Sequence, residues 1–526
     1  MKWMNVVLLS LTGMVLTGTG AYVVTPPGGY VASNDLDPEP DRPKREPNVP
    51  EGPFEGGHFS SGSTLRVEGR VGHERLTPGQ STFLLVELRG DESAPAARSP
   101  VDLSLVIDKS GSMRGTRLRH ALDAAAGSVQ RLSDGDSVSV LAFDERVQTV
   151  VAPTVIDNAS RGRVLDALRS IAVGGNTCLS CGVELGLGLA GGAPGRVAKM
   201  VVLSDGEANR GVRDVPGFRT MAARARDRGV AITTVGVDVS YNEQVLSALA
   251  FESNGRHYFV ENDAALPRVF EGEAQAATST LASGAQTVVT LAPGVELERV
   301  FDRTFTRAGQ RITVPLGAFT RGEAKTVLLQ VRAPTGGSGG PVALADVDVT
   351  YHDQTTRAPG TCRGALAALA VRDKGDTSEG DPVVVGRVER SETSSSLAKA
   401  GELFASGRLS EANKLLEGQV SKLKAQKARA SSAPPSGDAA AGVAARADAD
   451  FNRQERVLEE AKRDFGAAQA AAEAAPPADR SPTTTSTPPR NAAAAAPPPP
   501  APAPGRTREG QTAVKRNVDR SIDLAY

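Results

Sequence analysis

Hydrophobic and polar positions change their spacing several times along the chain, and each change predicts a different kind of structure. Between residues 101 and 262, apolar runs such as VDLSLVID and VAKMVVLSD alternate with stretches of helical spacing such as TRLRHALDAAAGSVQRL. Buried strands that alternate with helices are typical of a doubly wound, mostly parallel sheet. The pattern therefore predicts an α/β domain over residues 101–262, with ligands bound beyond the carboxyl ends of its strands.

Alternating apolar and polar positions flank this predicted domain on both sides. Residues 63–100 contain STLRVEGRV and STFLLVELRG, and residues 286–355 contain further runs of this kind separated by turn residues. A spacing of two is typical of strands with one buried face. We expect residues 286–355 to form an antiparallel, β-sandwich-like domain. The strands of residues 63–100 should pack on it, and a helical bridge should cover residues 263–285.

The beginning of the chain has a different composition. Lys2 is followed by an apolar stretch and then by small residues, an order that predicts a secretory signal peptide over residues 1–24. The alternative is an uncleaved N-terminal membrane anchor, because the stretch is almost long enough to cross a bilayer. In either case we expect an exported protein that is periplasmic, on the cell surface or secreted. Residues 25–62 are rich in Pro, Gly, Asp and Glu and predict a disordered linker.

The last part of the chain is rich in alanine and proline. Residues 396–426 predict two helices around Gly407, in a hairpin that resembles one unit of a tetratricopeptide repeat. We expect this hairpin to pack on the β domain or to stand alone, because one such unit cannot bury its own apolar face. Residues 427–526 predict a largely disordered segment with a helix near residues 450–475.

Composition and motifs narrow the class of protein. The formal net charge is −1, which gives no overall field that would attract nucleic acid or an anionic membrane. The five histidines are scattered, and the chain has no H-E-x-x-H and no P-loop. The DKSGSM stretch contains S-G-S rather than G-x-S-x-G and predicts no nucleophile elbow. These observations favour a binding protein over an enzyme. They predict no nucleic-acid partner and no membrane contact other than an N-terminal anchor.

Oxygen-bearing side chains follow the first buried strand of the predicted α/β domain. Asp108, Ser110 and Ser112 stand at alternate positions in LVIDKSGSM, directly after an apolar run. Carboxylate and hydroxyl oxygens are hard ligands that suit Mg²⁺ or Mn²⁺ rather than Zn²⁺. The same residues also suit an ordinary turn or helix cap, so the triplet alone does not define a metal site.

Two more stretches carry oxygen ligands at comparable places in the predicted fold. Thr177 lies in the glycine-rich loop GGNTCLSCG before a helix, and Asp205 ends the apolar run VVLSD. In a doubly wound sheet, strand ends and strand–helix loops can converge on one rim. The three stretches can therefore meet in the folded chain.

Together these three stretches resemble the von Willebrand factor A (VWA) domain and its metal-ion-dependent adhesion site (MIDAS). The family pattern is Asp-x-Ser-x-Ser, then a distant Thr and a distant Asp, and the chain has these residues in that order. The resemblance implies hydroxyls and carboxylates that hold a divalent cation, directly or through water. The implied ligands are Asp108, Ser110, Ser112, Thr177 and Asp205. The order of segments in the rest of the chain resembles that of bacterial exported VWA proteins.

The resemblance also implies a cofactor and a partner. Mg²⁺ is the expected cation, with Mn²⁺ or Ca²⁺ as alternatives, and Mg²⁺ keeps some of its water ligands. An Asp or Glu carboxylate of a protein partner can replace one of these waters. We therefore expect an extracytoplasmic protein-binding protein that acts in adhesion or complex assembly. The alternative is an assembly or chaperone-like subunit that matures another protein complex.

Two cysteines distinguish this sequence from the common family pattern. Cys178 and Cys181 form CLSC directly after Thr177, where the family leads us to expect Asn or Asp at position 178. They are either a disulfide that stiffens the loop or two small buried residues at the start of a helix. A thiol redox function of the C-x-x-C spacing is a less favoured alternative. With Cys362, the odd total leaves at least one thiol without an intramolecular partner.

Overall fold

The computed structural model describes residues 56–94, 98–191, 195–336, 339–432, 438–474 and 503–525. All of these residues belong to one compact unit, Pro47–Tyr526. The predicted signal peptide or anchor at residues 1–24 lies outside the described residues, as does all but the end of the predicted linker. Among the helices of the described ranges, none combines the length and the apolar character needed to span a membrane.

Strands and helices alternate in the middle of the chain, with strands on either side of this region and helices at its end. The strands are β1 (His58–Ser61), β2 (Leu65–Val71), β3 (Arg75–Leu76), β4 (Ser81–Gly90), β5 (Val101–Asp108), β6 (Ser137–Phe143), β7 (Val147–Val155), β8 (Val197–Ser204), β9 (Ala231–Val237), β10 (His257–Val260), β11 (Thr280–Leu291), β12 (Glu296–Phe301), β13 (Thr306–Ala308), β14 (Arg311–Thr320), β15 (Ala324–Arg332), β16 (Gly340–Asp353) and β17 (Ala358–Ala370). The α-helices are α1 (Thr116–Arg131), α2 (Asn158–Arg169), α3 (Leu179–Leu189), α4 (Val215–Asp227), α5 (Glu243–Glu252), α6 (Leu266–Thr278), α7 (Pro382–Ala405), α8 (Leu409–Ser432), α9 (Asp438–Ala474) and α10 (Arg508–Ala525).

The central sheet has the strand order β10-β9-β8-β5-β6-β7, and its neighbouring strands are parallel except for β6 and β7. Helices α1, α2 and α6 pack on one face, and α3, α4 and α5 pack on the other. The predicted doubly wound, mostly parallel sheet is confirmed. From β5 the chain continues to β6 on one side of β5, and it later returns to β8 on the other side. This reversal of strand order makes β5 and β8 the switch point of the sheet. The carboxyl ends of β5 and β8 therefore form the crevice in which such sheets bind ligands.

A β-sandwich stands beside the central sheet. One of its sheets has the order β1-β2-β4-β15-β12 and the other has the order β13-β14-β11-β16-β17-β3. Apolar side chains from both sheets, including Leu84 and Ile312, share one core. Strand β4 pairs with β15 in an antiparallel register, so early and late segments of the chain build one domain.

Three predicted boundaries of the β domain need correction. Residues 58–61 were included in the predicted linker, but they form β1, because they pair with β2 and Phe59 packs against the core. The predicted bridge over residues 263–285 ends early, since α6 stops at Thr278 and Leu281 is already buried in β11. The domain also continues past residue 355 through β17, whose alanine- and glycine-rich sequence carries a weak strand pattern.

The C-terminal helices α7, α8, α9 and α10 pack around an apolar core of their own. The predicted hairpin at residues 396–426 is therefore part of two longer helices in a larger bundle. The predicted helix near residues 450–475 is the second part of α9, whereas the prediction of disorder is wrong for the first part of α9, for the end of α8 and for α10. Phe451, Leu458 and Phe465 are buried and recur every seven residues, which gives the alanine-rich α9 an apolar stripe.

The bundle is attached to the outer face of the β-sandwich. Val384 at the start of α7 packs against Leu85 and Leu328. The guanidinium of Arg446 on α9 lies 3.2 Å from the carboxylate of Glu68 and 3.0 Å from that of Glu87. These contacts make the helices part of the same folded unit as the sandwich.

Candidate metal site

Asp108 is the last residue of β5, at the carboxyl edge of the central sheet. Its side chain is fully buried. One carboxylate oxygen accepts the backbone N–H of Ser110 at 2.8 Å, and the other accepts the Ser204 hydroxyl at 2.7 Å. Burial raises the pKa of Asp108 to about 6, although both hydrogen bonds oppose this shift. The carboxylate is thus held rigidly in a place where its negative charge is poorly solvated.

The two serines and Asp205 meet beside Asp108. The hydroxyl oxygens of Ser110 and Ser112 are 3.1 Å apart, and the Ser112 hydroxyl donates to Oδ1 of Asp205 at 2.6 Å. Asp205 follows β8 directly and is buried, which raises the pKa of its carboxyl. The alternate spacing in the loop after β5 and the adjacent strand β8 therefore bring four of the predicted residues together.

Thr177 reaches the same place from the loop before α3. Its backbone N–H donates to the side-chain oxygen of Asn209 at 3.0 Å, and its carbonyl accepts the backbone N–H of Asn209 at 3.1 Å. A side-chain carbon at Gly206 would lie 3.3 Å from Oγ of Ser112 and 3.8 Å from Oγ1 of Thr177. Both hydroxyls thus face the glycine that follows Asp205, so all five predicted residues border one small space.

Backbone contacts between loops fix this geometry. The N–H of Gly111 donates to the carbonyl of Gly175 at 2.8 Å, and the N–H of Gly174 donates to the carbonyl of Lys109 at 2.6 Å. A side-chain carbon at position 174 would lie 1.9 Å from an oxygen of Asp144, so a larger residue there would displace the Asp144 carboxylate. The loop after β5 and the loop that carries Thr177 are therefore locked to each other.

Cys178 and Cys181 form a disulfide, with their Cα atoms 5.3 Å apart. Cys178 is buried, and its backbone N–H donates to the carbonyl of Asp144 at 2.7 Å. Of the alternatives that the sequence left open, the structure has the disulfide, directly beside Thr177. Cys362 is buried in the β-sandwich and unpaired.

The prediction from sequence did not include Ser204, Arg117 and Asn209, whose side chains contact predicted ligands, or Asp238, which is linked to the site through Arg117. Ser204 bonds to Asp108, as described above. Arg117, in the first turn of α1, donates to Oδ2 of Asp205 at 2.9 Å. A second nitrogen of the same guanidinium donates to Asp238, which follows β9 directly. Asp238 and Ser204 could have been found from their positions at the carboxyl ends of neighbouring strands. Nothing in the sequence indicated which side chains Arg117 would contact.

The donor set suits a hard divalent cation. Two buried carboxylates with raised pKa and three hydroxyls supply oxygen atoms alone, the ligand type that Mg²⁺, Mn²⁺ and Ca²⁺ prefer. Across the described ranges, no three His, Cys, Asp or Glu side chains cluster in a way that would hold a metal ion. A cation at this site would therefore depend on hydroxyl ligands and water as well as on Asp108 and Asp205.

Residues 102–272 match the family described as von Willebrand factor type A domain. The chain is 29% identical over 245 residues to the uncharacterized protein sll0103 of Synechocystis sp.. It is 26% identical over 224 residues to the uncharacterized protein YfbK of Escherichia coli strain K12. These matches span 44% and 41% of this chain, and 57% and 38% of the respective relatives.

Solved structures show the same fold over a larger part of the chain. A von Willebrand factor type A protein from Catenulispora acidiphila aligns with a TM-score of 0.61 at 16% identity, over 77% of this chain and 92% of that one. The ArnB paralog VWA2 from Sulfolobus acidocaldarius aligns with a TM-score of 0.53 at 17% identity, over 75% and 98%. Residues 102–272 of this chain thus form a VWA domain, a kind of domain that typically mediates protein–protein interactions.

Proposed function

We propose that this protein binds another protein by holding one of its carboxylates through a divalent cation at the five-residue site. The observation that carries the proposal is the convergence of Asp108, Ser110, Ser112, Thr177 and Asp205 at the switch point of the central sheet. Mg²⁺ is the proposed cation, with Mn²⁺ and Ca²⁺ as alternatives. The proposed role is in adhesion or complex assembly rather than in catalysis.

The exposure of the site supports access by a partner. Ser112 is exposed although Ser110 and Asp205 are buried, so the cluster opens to solvent on the side of Ser112. Asn176 and Glu207 are exposed at its edge, and Val173 in the neighbouring loop is 36% exposed. A partner's carboxylate can thus approach the cluster while the rest of the partner contacts these loops.

Each residue has a defined role in this proposal. The hydroxyls of Ser110, Ser112 and Thr177 hold the cation, directly or through water, and Asp108 and Asp205 balance its charge. The bound cation attracts a partner's carboxylate, which takes the place of one of the water ligands of the cation. Ser204 keeps Asp108 in position by donating a hydrogen bond to the oxygen that does not bond Ser110.

An extracytoplasmic location is part of the proposal. The N-terminal sequence supports it, and so does the disulfide between Cys178 and Cys181, because structural disulfides persist mainly in oxidising compartments. Mass spectrometry of the mature N-terminus in fractionated cells tests this part. A chain recovered from the cytoplasm with both thiols reduced contradicts it.

Calorimetry of the full chain tests the carboxylate-binding function. We expect acetate to bind the wild-type protein in the presence of Mg²⁺ and not in the presence of a chelator. The variant Ser110→Ala/Ser112→Ala should lose this binding. The control Ser170→Ala, which removes an exposed hydroxyl at the end of α2, should keep it. Acetate binding that is insensitive to the chelator, or to the loss of both serines, contradicts the proposal.

A further inference from the structure

The C-terminal helix α10 packs between the helical bundle and the VWA domain. Its contact with the bundle includes polar pairs: the carbonyl of Ser521 accepts the hydroxyl of Ser394 at 2.7 Å, and Arg520 lies 2.7 Å from Asp464. Asn517 is buried and donates to a backbone carbonyl of α7. Ala513 and Leu524 are buried in the bundle core, and Val514 packs against it. The helix thus has polar and apolar contacts with the bundle in addition to its contacts with the VWA domain.

Three cations of α10 face acidic side chains of the VWA domain: Arg508, Lys515 and Arg516, the last of which pairs with Glu261. A guanidinium nitrogen of Arg508, the first residue of the helix, lies 3.0 Å from Oδ1 of Asp238. Nζ of Lys515 is buried, donates to the carbonyl of Tyr241 at 3.0 Å and lies 3.9 Å from the Glu243 carboxylate. The first turns of α10 are therefore held at the edge of the candidate metal site.

Asp238 connects α10 with that site. Its Oδ1 faces Arg508, and its Oδ2 accepts one nitrogen of Arg117. The other nitrogen of Arg117 donates to Oδ2 of Asp205, a proposed metal ligand. One carboxylate and one guanidinium thus lie between the helix and the metal site, and each of them has two oppositely charged partners. Oδ1 of Asp238 also accepts the backbone N–H of Val239 at 2.8 Å, and Arg117 also donates to the carbonyl of Ser112 at 3.3 Å.

The sharing of these two groups makes the two sites compete. A cation bound to the carboxylate of Asp205 repels the positive guanidinium of Arg117 and displaces it from this carboxylate. A displaced guanidinium can pair with both oxygens of Asp238, and this two-point contact is stronger than a single one. Such a contact would add a third donor to Oδ1, which already accepts the backbone N–H of Val239 and faces Arg508, so Arg117 would compete with Arg508 for this oxygen. Release of Arg117 from Asp205 therefore weakens the hold of the VWA domain on α10.

We propose that docking of α10 and occupation of the cation site oppose each other through Arg117 and Asp238. The inference rests on the proposed function, because it takes Asp205 as a metal ligand. Docked α10 lowers the affinity of the site for a cation, and hence for a partner's carboxylate. Occupation of the site loosens α10 to the same extent, because coupling between two binding equilibria is reciprocal.

Hydrogen exchange of the full chain tests the coupling without any metal. In the presence of a chelator, Asp205→Asn should speed exchange of α10 amides about two- to five-fold, the range expected for one exposed ion pair. The matched control is Asp108→Asn, which alters the same site without touching Arg117, and it should leave α10 unchanged. Unchanged or slower exchange of α10 in Asp205→Asn overturns the proposal.

Calorimetric titration with Mg²⁺ tests the same coupling from the other side. Arg508→Gln should tighten Mg²⁺ binding about two- to five-fold. The control Arg506→Gln removes an exposed cation two residues before Arg508, and it should leave the affinity at the wild-type value. Equal affinities in Arg508→Gln and wild type overturn the coupling. Absence of Mg²⁺ binding in every variant refutes the proposed function instead, and the exchange experiment still decides whether Asp205 controls α10.

Discussion

The junction between the VWA domain and the β-sandwich contains an ion cluster around Glu323. Its carboxylate accepts the backbone N–H and the hydroxyl of Thr320 at 2.9 and 3.0 Å. It also lies 2.9 Å from a nitrogen of Arg256, in the VWA domain, and 3.7 Å from Nζ of Lys325, in the sandwich. Burial alone would raise the pKa of Glu323, but Lys325, Arg256 and the hydrogen bonds of Thr320 outweigh it and lower this pKa to about 2.

We expect Glu323→Gln to lower the free energy of unfolding by about 3 kcal/mol at pH 7, since each pKa unit corresponds to about 1.4 kcal/mol. The shift runs from 4.5 to about 2 and lowers the pKa in the folded state. The stabilisation is therefore complete above the unfolded pKa and is lost as the pH falls towards 2. Wild type and variant should differ most at neutral pH and converge in acid.

Urea unfolding followed by circular dichroism, repeated between pH 7 and pH 2, measures this difference. The control is Glu296→Gln, which removes an exposed carboxylate from β12. It should unfold at nearly the wild-type urea concentration throughout. A loss of stability in Glu323→Gln that does not change with pH would refute the electrostatic explanation. So would a loss at pH 7 no larger than that of the control.

Two other substitutions test the loop beside Thr177 and the helical bundle. Replacing both Cys178 and Cys181 with serine should lower the free energy of unfolding by about 2 kcal/mol, the chain-entropy value for such a short loop. Thermal melting without reductant measures this loss, and an unchanged melting midpoint contradicts the prediction. Phe465→Ala should lower the free energy of unfolding by about 3–5 kcal/mol, because the buried ring of Phe465 stacks on that of Phe404 with the ring centroids 4.3 Å apart. Thermal melting followed by helical circular dichroism measures this loss as a lower melting temperature than that of wild type. The control Arg463→Ala, at an exposed position, should melt like wild type.

The fold of the VWA domain and the convergence of its oxygen ligands were predictable from the sequence for a physical reason. Asp108, Ser110 and Ser112 are neighbours in the chain, so their spacing alone brings them together. Asp205 is distant in sequence, but the rule that parallel strands end at one edge places it on the same rim. Thr177 lies between α2 and α3 and follows no strand, so its place among the ligands was implied by the resemblance to the VWA family.

Contacts that depend on tertiary packing were not predictable. Arg117 reaches Asp238 only because β9 is placed beside β8, and the sequence does not specify which acidic group an arginine will meet. Helix α10 was missed although Val514, Val518 and Ile522 recur every four residues, because it follows a Pro- and Ala-rich stretch and was assigned to the same disordered segment. The spacing of Cys178 and Cys181 fits a disulfide and a pair of buried thiols equally well, so the pairing required the folded loop.

The central claim is that a divalent cation binds among the five oxygen-bearing side chains. Electron paramagnetic resonance of Mn²⁺ titrated into the full chain tests it most directly, because free Mn²⁺ gives a sharp signal that is lost on binding. We expect one tightly bound Mn²⁺ per wild-type chain, displaced by excess Mg²⁺, and none in Ser110→Ala/Ser112→Ala. A wild-type chain that binds no Mn²⁺, or a double variant that binds it as tightly as wild type, would refute the proposed cation site.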